Sequence, residues 1–137
     1  MPYTYTIEDR IVHLAWSGVV AKEDLQAIGR EMPRLAAELG FAPDVLHTFD
    51  AVAGYSFQPI AAYALSLLRK RVVIPYPVRS AAVARTPESL ALARIFIALN
   101  RTRNLTMEVF DSEEKARRWI AAKPVGTDER TIPGASS

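Results

Sequence analysis

The fold class is decided by the stretch Val78-Arg79-Ser80-Ala81-Ala82-Val83-Ala84-Arg85-Thr86-Pro87-Glu88, in which a strand passes directly into a helix. Residues 78–84 form a short apolar run, which is typical of a strand buried on both faces of a sheet. Thr86-Pro87-Glu88 then predicts a helix start, because it combines a capping hydroxyl, a proline in the first turn and an acidic side chain beside the helix dipole. A strand that leads at once into a helix indicates the crossover unit of a parallel sheet.

The same alternation of strand and helix patterns continues on both sides of that stretch. Two β-prone runs, Tyr3–Ile7 and Ile11–Trp16, enclose the polar link Glu8-Asp9-Arg10 and predict an antiparallel hairpin. The other predicted elements, in chain order, are a helix from Ala21 to Gly40 that contains Pro33, a strand over Val45–Phe49, a loop over Asp50–Gln58, a helix over Pro59–Arg71, a helix over Pro87–Arg103, a strand over Thr106–Phe110 and a helix from Asp111 to Ile120. The sequence therefore predicts an α/β domain with a mixed, mostly parallel sheet of about five strands, four helices and an antiparallel N-terminal hairpin.

Length and composition indicate one domain. The chain has 137 residues, of which 50% are hydrophobic and none is cysteine. We expect a single domain over residues 1–122 and a flexible tail over 123–137, where proline, glycine, serine and charge accumulate. No apolar run reaches the ~18 residues of a membrane span, and Met1-Pro2-Tyr3-Thr4 lacks the layout of a secretory signal. Together with the missing cysteines, which exclude disulfides and thiol nucleophiles, this predicts a cytoplasmic protein.

The net charge of +2 hides an uneven distribution. Residues 60–104 carry eight basic side chains and one acidic side chain, whereas the segments on either side are net acidic. A basic middle indicates attraction for a small anionic ligand, an acidic partner or the acidic part of a second copy, unless each arginine pairs within its own chain. Aromatic and basic residues are not interleaved on one face, so we expect no nucleic-acid partner.

The predicted loop after the third strand is the best candidate for a binding site. It presents aromatic and small residues beside a helix start, where backbone N–H groups accept anions, and arginines flank the next strand. The candidate ligand-binding residues, for a small anionic or amphipathic molecule, are Asp50, Tyr55, Ser56, Phe57, Arg79 and Arg85. In the alternative interpretation, Tyr55 and Phe57 close the core over the sheet.

The sequence carries no recognisable catalytic pattern. His13 and His47 fall inside predicted strands that become neighbours if those strands pair, and they either form a titrating or ligand-holding pair or are half-buried rings with satisfied hydrogen bonds. Asp50 is either a general base at a strand end or a turn cap. Serine-nucleophile, phosphate-loop and dinucleotide motifs are missing, and no ligand set for a metal is complete. We therefore expect a protein that is not an enzyme and that has no cofactor or metal.

The helix predicted over Pro87–Arg103 has more apolar residues than one core face requires. Such a helix is buried on two sides or faces a partner. We assign Ile95, Phe96 and Leu99 as candidate dimer-interface residues, so that the first functional hypothesis is a regulatory or protein–protein interaction module that pairs with itself or with another protein.

Four parts of the sequence carry a family resemblance: Met1–Ile7, Trp16–Val20 with Glu23–Leu25, Ser80–Ala84 and Glu108–Ile120. They resemble the STAS/SpoIIAA-like families, to which the anti-sigma-factor antagonists belong, and more closely the small uncharacterised bacterial proteins described as STAS/SEC14-like. The resemblance spans about Pro2 to Ala121 and implies a SpoIIAA-like α/β fold.

The resemblance also indicates where a phosphorylatable serine would lie in this sequence. The antagonist family places a phosphorylatable serine in an Asp-Ser-Ser-Gly turn after the third strand. Laid on this sequence without gaps, that turn falls on Ser56-Phe57-Gln58-Pro59, so Phe57 stands at the serine position and Pro59 at the glycine position. We expect the switch to be absent, with Ser56 either a substitute target or a helix cap.

Overall fold

The computed structural model describes residues 3–58, 77–100 and 103–122, apart from the side chains of residues 99 and 100. Its elements, in chain order, are β1 (Tyr3–Glu8), β2 (Ile11–Val20), α1 (Lys22–Leu39), β3 (Asp44–Tyr55), β4 (Val78–Val83), α2 (Pro87–Asn100), β5 (Leu105–Phe110) and α3 (Glu113–Ala121). The helix predicted over Pro59–Arg71 and the predicted tail at 123–137 lie outside the described residues.

The strands form one five-stranded sheet in the order β1-β2-β3-β4-β5. β1 runs antiparallel to β2, and every other neighbouring pair is parallel. This topology confirms the predicted α/β fold with a mostly parallel sheet and an antiparallel N-terminal hairpin. Within the described ranges no helix is long and apolar enough to cross a membrane.

The hairpin turn is the shortest kind. Glu8 pairs with Ile11, and the two residues between them, Asp9 and Arg10, have φ angles of 47° and 67°. Two consecutive left-handed residues form the turn type whose twist matches that of a β-ribbon. The turn therefore fixes the β1–β2 register, which places Tyr3 beside Trp16 and Ile7 beside Val12.

Helices cover the sheet on both faces. On the first face, α1 and α2 pack over a cluster that includes Leu14, Trp16 and Phe49. On the second face, α3 packs over a smaller cluster that includes Leu46 and Val83. Because side chains alternate along a strand, neighbouring residues of β3 serve different cores.

β2 and β3 are longer than their sequences predict. Residues 17–20 of β2 pair with residues 51–55 of β3, so the loop predicted over Asp50–Gln58 is wrong up to Tyr55. The register shifts between Ala15 and Ser17 and again between Gly18 and Val19, and Gly18 has a φ of 72°. Irregular pairing and partial exposure remove the regular apolar alternation by which a strand is recognised in a sequence.

Local sequence signals explain where the helices begin and end. Thr86 and Ser89 cap the start of α2 together. The Thr86 backbone N–H donates to the Ser89 hydroxyl, and the Ser89 backbone N–H donates to the Thr86 hydroxyl. α1 ends at Gly40, which has a φ of 80°, and passes through Pro33 without ending there. α3 is capped by Ser112, whose hydroxyl accepts from the Lys115 N–H, while the Asp111 carboxylate forms an ion pair with the Lys115 side chain.

Candidate functional site

The two histidines lie on neighbouring strands but on opposite faces of the sheet. His47 belongs to the first face, where its Nδ1 accepts a hydrogen bond of 3.0 Å from the Trp16 indole Nε1. His13 belongs to the second face, where its Nε2 lies 3.3 Å from the Thr48 hydroxyl. They therefore do not form a joint site, although each has a hydrogen-bonding partner.

His47 is enclosed by aromatic rings. Its ring centroid lies 5.8 Å from that of Phe49, in a stacked arrangement, and 4.4 Å from that of Phe96. Burial, with a smaller contribution from the charge of His13, lowers the pKa of His47 to about 3. The imidazole is thus neutral at physiological pH, and its surroundings are those of a core residue.

Asp50, in the middle of β3, and Arg85, two residues beyond the end of β4, are brought together. The Arg85 Nε lies 3.1 Å from the Asp50 Oδ2, and both side chains are substantially exposed. An exposed ion pair of this kind stabilises a protein weakly. The Asp50 carboxylate, for which a general base and a turn cap were the two interpretations, is therefore paired with a cation from its own chain.

Tyr55 and Phe57 form a second pair. Their ring centroids are 5.1 Å apart, and both rings pack against the main core cluster. This arrangement favours the interpretation in which they close the core. Ser56, between them, is exposed, and its backbone N–H donates to the Val20 carbonyl.

Arg79 lies away from these groups. It stands near the start of β4, six residues from Arg85, which is about 20 Å along an extended chain. Its guanidinium packs over the Trp119 ring and donates to the Trp119 carbonyl, and its backbone N–H donates to the buried Asp44 carboxylate. The six predicted ligand-binding residues therefore do not converge on one site within the described structure.

The predicted interface on α2 is also occupied. Ile95 and Phe96 are only 8% and 5% exposed and belong to the core cluster of their own chain. The surplus of apolar residues on this helix serves intramolecular packing, and these two residues offer no surface to a partner. The side chain of Leu99 lies outside the described residues.

A different apolar surface remains open at the sheet edge. β1 is one of the two terminal strands of the sheet, and Tyr5 and Ile7 are 52% and 43% exposed. They share the first face with Leu14 and Val12, their partners on β2, but α1 does not cover them fully. We call Tyr3, Tyr5 and Ile7, together with the outer backbone edge of β1, the β1 surface. The alternation of Tyr3, Tyr5 and Ile7 with threonines predicts a half-buried strand of a hairpin at the edge of the sheet, and the strand order confirms that position.

A small groove separates β1 from α1. Its volume is about 50 Å³, and its floor includes Tyr3, Tyr5 and Leu35. Arg34 forms ion pairs with Glu31 and Glu38 along its rim. Burial and the Glu31 carboxylate raise the pKa of the Tyr3 hydroxyl. Ligand pockets have volumes of roughly 300–1,000 Å³, so this groove extends the β1 surface and does not form a cavity for a metabolite.

Metal-ligating side chains do not cluster in the part of the chain that is described: no three His, Asp or Glu residues there come together. Within the described residues, the candidate sites are therefore a closed aromatic core, exposed ion pairs and, at one of the two sheet edges, the apolar β1 surface.

Among known proteins, similarity to this chain is found in solved structures. No family model matches the sequence, and no curated protein matches it. Among solved structures, the chain is similar to an uncharacterised protein of the DUF3478 family with a SpoIIAA-like fold from Shewanella loihica PV-4, at 14% identity over 86% of this chain and 91% of that chain, with a TM-score of 0.46. It is also similar to Mglu, at 13% identity over 80% of this chain and 19% of that chain, with a TM-score of 0.35.

The protein from Shewanella loihica PV-4 is described with the same fold family that the sequence resembles. The fold class of the present chain rests on the order, direction and register of its own five strands.

Proposed function

We propose that this protein is a non-enzymatic interaction module that associates with a second copy of itself through the β1 surface. The observation that carries the proposal is the position of Tyr5 and Ile7, two large exposed apolar side chains on a terminal strand. No described strand pairs with the outer edge of β1. Exposed apolar residues on an open strand edge are typical of protein–protein contacts.

The sequence of β1 supports a strand-to-strand contact. Edge strands that avoid pairing usually carry lysine, proline or a bulge. β1 reads Tyr-Thr-Tyr-Thr-Ile-Glu and contains none of these features. Its single charge, Glu8, stands at the end of the strand and lies 3.5 Å from Arg117 of α3.

A second copy is a suitable partner for such an edge. Symmetric dimers use the same patch on both subunits, which must therefore be compatible with itself. The β1 surface meets this condition because its side chains at positions 3–7 are aromatic, aliphatic or hydroxyl-bearing, so no like charges oppose each other. A cytoplasmic location belongs to the same proposal and rests on the cysteine-free sequence.

The decisive experiment measures the molecular mass of the protein in solution. We expect native mass spectrometry and light scattering to show a monomer–dimer equilibrium at micromolar to submillimolar concentrations, since a contact between six-residue strands is small. Ile7→Lys replaces an exposed apolar side chain of the β1 surface with a charged one, and we expect it to shift the equilibrium towards the monomer.

Val19→Lys is the matched control, because Val19 is 62% exposed at the far end of β2 and is not part of the β1 surface. It should leave the dimer intact, and circular dichroism should show that both variants are folded. A wild-type mass equal to that of a monomer at every concentration refutes self-association. Equal dissociation of both variants refutes the β1 surface as its location.

A further inference from the structure

The hairpin turn determines which backbone groups of β1 face outward. In a hairpin with a two-residue turn, the closing pair, here Glu8 and Ile11, exchanges both hydrogen bonds. Pairs then alternate along the ladder, so Thr6 and Thr4 also bond to β2. The N–H and C=O groups of Tyr3, Tyr5 and Ile7 consequently point to the open edge.

We propose that two copies join their β1 strands antiparallel, with Tyr5 directly opposite the partner's Tyr5, into one ten-stranded sheet. This inference rests on the proposed function and specifies its geometry. A two-fold axis perpendicular to the sheet passes between the two Tyr5 residues and keeps the first faces of both copies on the same side.

The hydrogen-bond count selects this register. With Tyr5 on the axis, Tyr3 opposes the partner's Ile7 at both ends, and all outward-facing residues of both strands form hydrogen-bonded pairs. A shift that puts Thr4 or Thr6 on the axis leaves one outward-facing residue of each strand without a partner residue in β1. A shift by a single residue would set first-face side chains against second-face side chains, which the pleat does not allow.

The side chains agree with the same register. On the first face, Tyr5 meets Tyr5, and Tyr3 meets Ile7, so that aromatic and aliphatic groups extend the floor of the groove beside α1 in each copy. On the second face, Thr4 meets Thr6, a pair of β-branched hydroxyl residues that is favourable between strands. Glu8 lies beyond the paired residues and near Arg117 of its own chain.

The cysteine-free sequence allows a direct test by disulfide formation. Residues in a hydrogen-bonded antiparallel pair have Cα atoms about 5.5 Å apart, within the range of a disulfide. We expect Tyr5→Cys to cross-link to itself under mild oxidation, and Thr4→Cys or Thr6→Cys alone to cross-link at least tenfold more slowly. Val19→Cys serves as the control for random collision, since it is exposed and lies outside β1.

A mixture of Thr4→Cys and Thr6→Cys chains tests the same register while Tyr5 and Ile7 remain in place. It should give a mixed disulfide, which mass spectrometry distinguishes from either homodimer by its mass. This second measurement applies even if Tyr5→Cys weakens association.

The outcomes separate this inference from the proposed function. Self-cross-linking of Tyr5→Cys or the mixed Thr4/Thr6 disulfide, above the Val19→Cys rate, supports the pairing. Faster self-cross-linking of Thr4→Cys or Thr6→Cys overturns the register. A dimeric mass with β1 cross-linking no faster than that of Val19→Cys overturns strand pairing but leaves self-association standing, whereas a monomeric mass overturns both.

Discussion

At the scale of a single residue, the buried His47 supplies a hydrogen-bond acceptor inside the core. Its Nδ1 accepts the Trp16 indole hydrogen bond, which satisfies a donor that burial would otherwise leave unpaired. Since Nδ1 accepts, the ring proton lies on Nε2, toward the other side of the ring. The contact fixes both rings between β2 and β3, and this explains why a histidine occurs in an otherwise apolar stretch.

Acid should destabilise the fold through His47. Its pKa is about 3 when folded, against an ordinary value of about 6.5, so the unfolded chain binds the proton first as the pH falls. This contribution to stability is present above pH 6.5 and is lost progressively down to about pH 3. From about pH 7.5 to about pH 5.5, His47 should lower the free energy of unfolding by about 1.4 kcal/mol. Urea unfolding at the two pH values measures this change.

His47→Asn provides the comparison, since an amide oxygen replaces the acceptor but does not titrate in this range. We expect the variant to be less stable near neutral pH, because it fills less of the core, yet to lose about 1.4 kcal/mol less than the wild type on acidification. An identical loss in both proteins would show that another group causes the pH dependence.

At the scale of the element, the paired extension of β2 and β3 contains a residue with a left-handed backbone conformation. Gly18 has a φ of 72°, and a Cβ built there meets no atom within 4 Å. The requirement for glycine at position 18 is therefore conformational, because the left-handed region is higher in free energy for any residue with a Cβ, whatever the space around it.

Gly18→Ala should lower the free energy of unfolding by about 1 kcal/mol. Gly54→Ala is the matched control, since Gly54 lies on the adjoining part of β3, has an ordinary φ and is equally open. It should be neutral or stabilising by a few tenths of a kcal/mol, because alanine restricts the unfolded chain. Equal losses in chemical denaturation would contradict this explanation.

The elements differ in how well their sequences predict them. Thr86-Pro87-Glu88 and the Asp9-Arg10 link carry local signals, caps and turn residues, which act over three or four positions and therefore fix the start of α2 and the hairpin. Ser17–Val20 has no such signal, because its strand conformation depends on pairing with residues 51–55. The candidate site could be predicted less well than the elements. The sequence shows that Arg79 and Asp50 are polar residues beside predicted strand ends, but it does not show that they contact Trp119 and Arg85 in the folded chain.

At the scale of the whole molecule, the sheet is covered unevenly. α1 and α2 protect the first face over β2 to β4, whereas Tyr5 and Ile7 at the β1 end remain in contact with solvent. Of the basic segment noted in the sequence, Arg79 and Arg85 interact within their own chain. The proposed contact with a second copy therefore rests on the apolar edge and not on these two arginines.

If that edge is covered by a second copy, thermal stability must depend on concentration. Association stabilises only the folded state, so by mass action a tenfold increase in protein concentration above the dissociation constant should raise the Tm by about 1–3 °C. Ile7→Lys should abolish this dependence while remaining folded, and Val19→Lys should retain it. Scanning calorimetry of the three proteins at two concentrations measures the effect, and a wild-type Tm that does not change with concentration would mean that the edge stays open in solution.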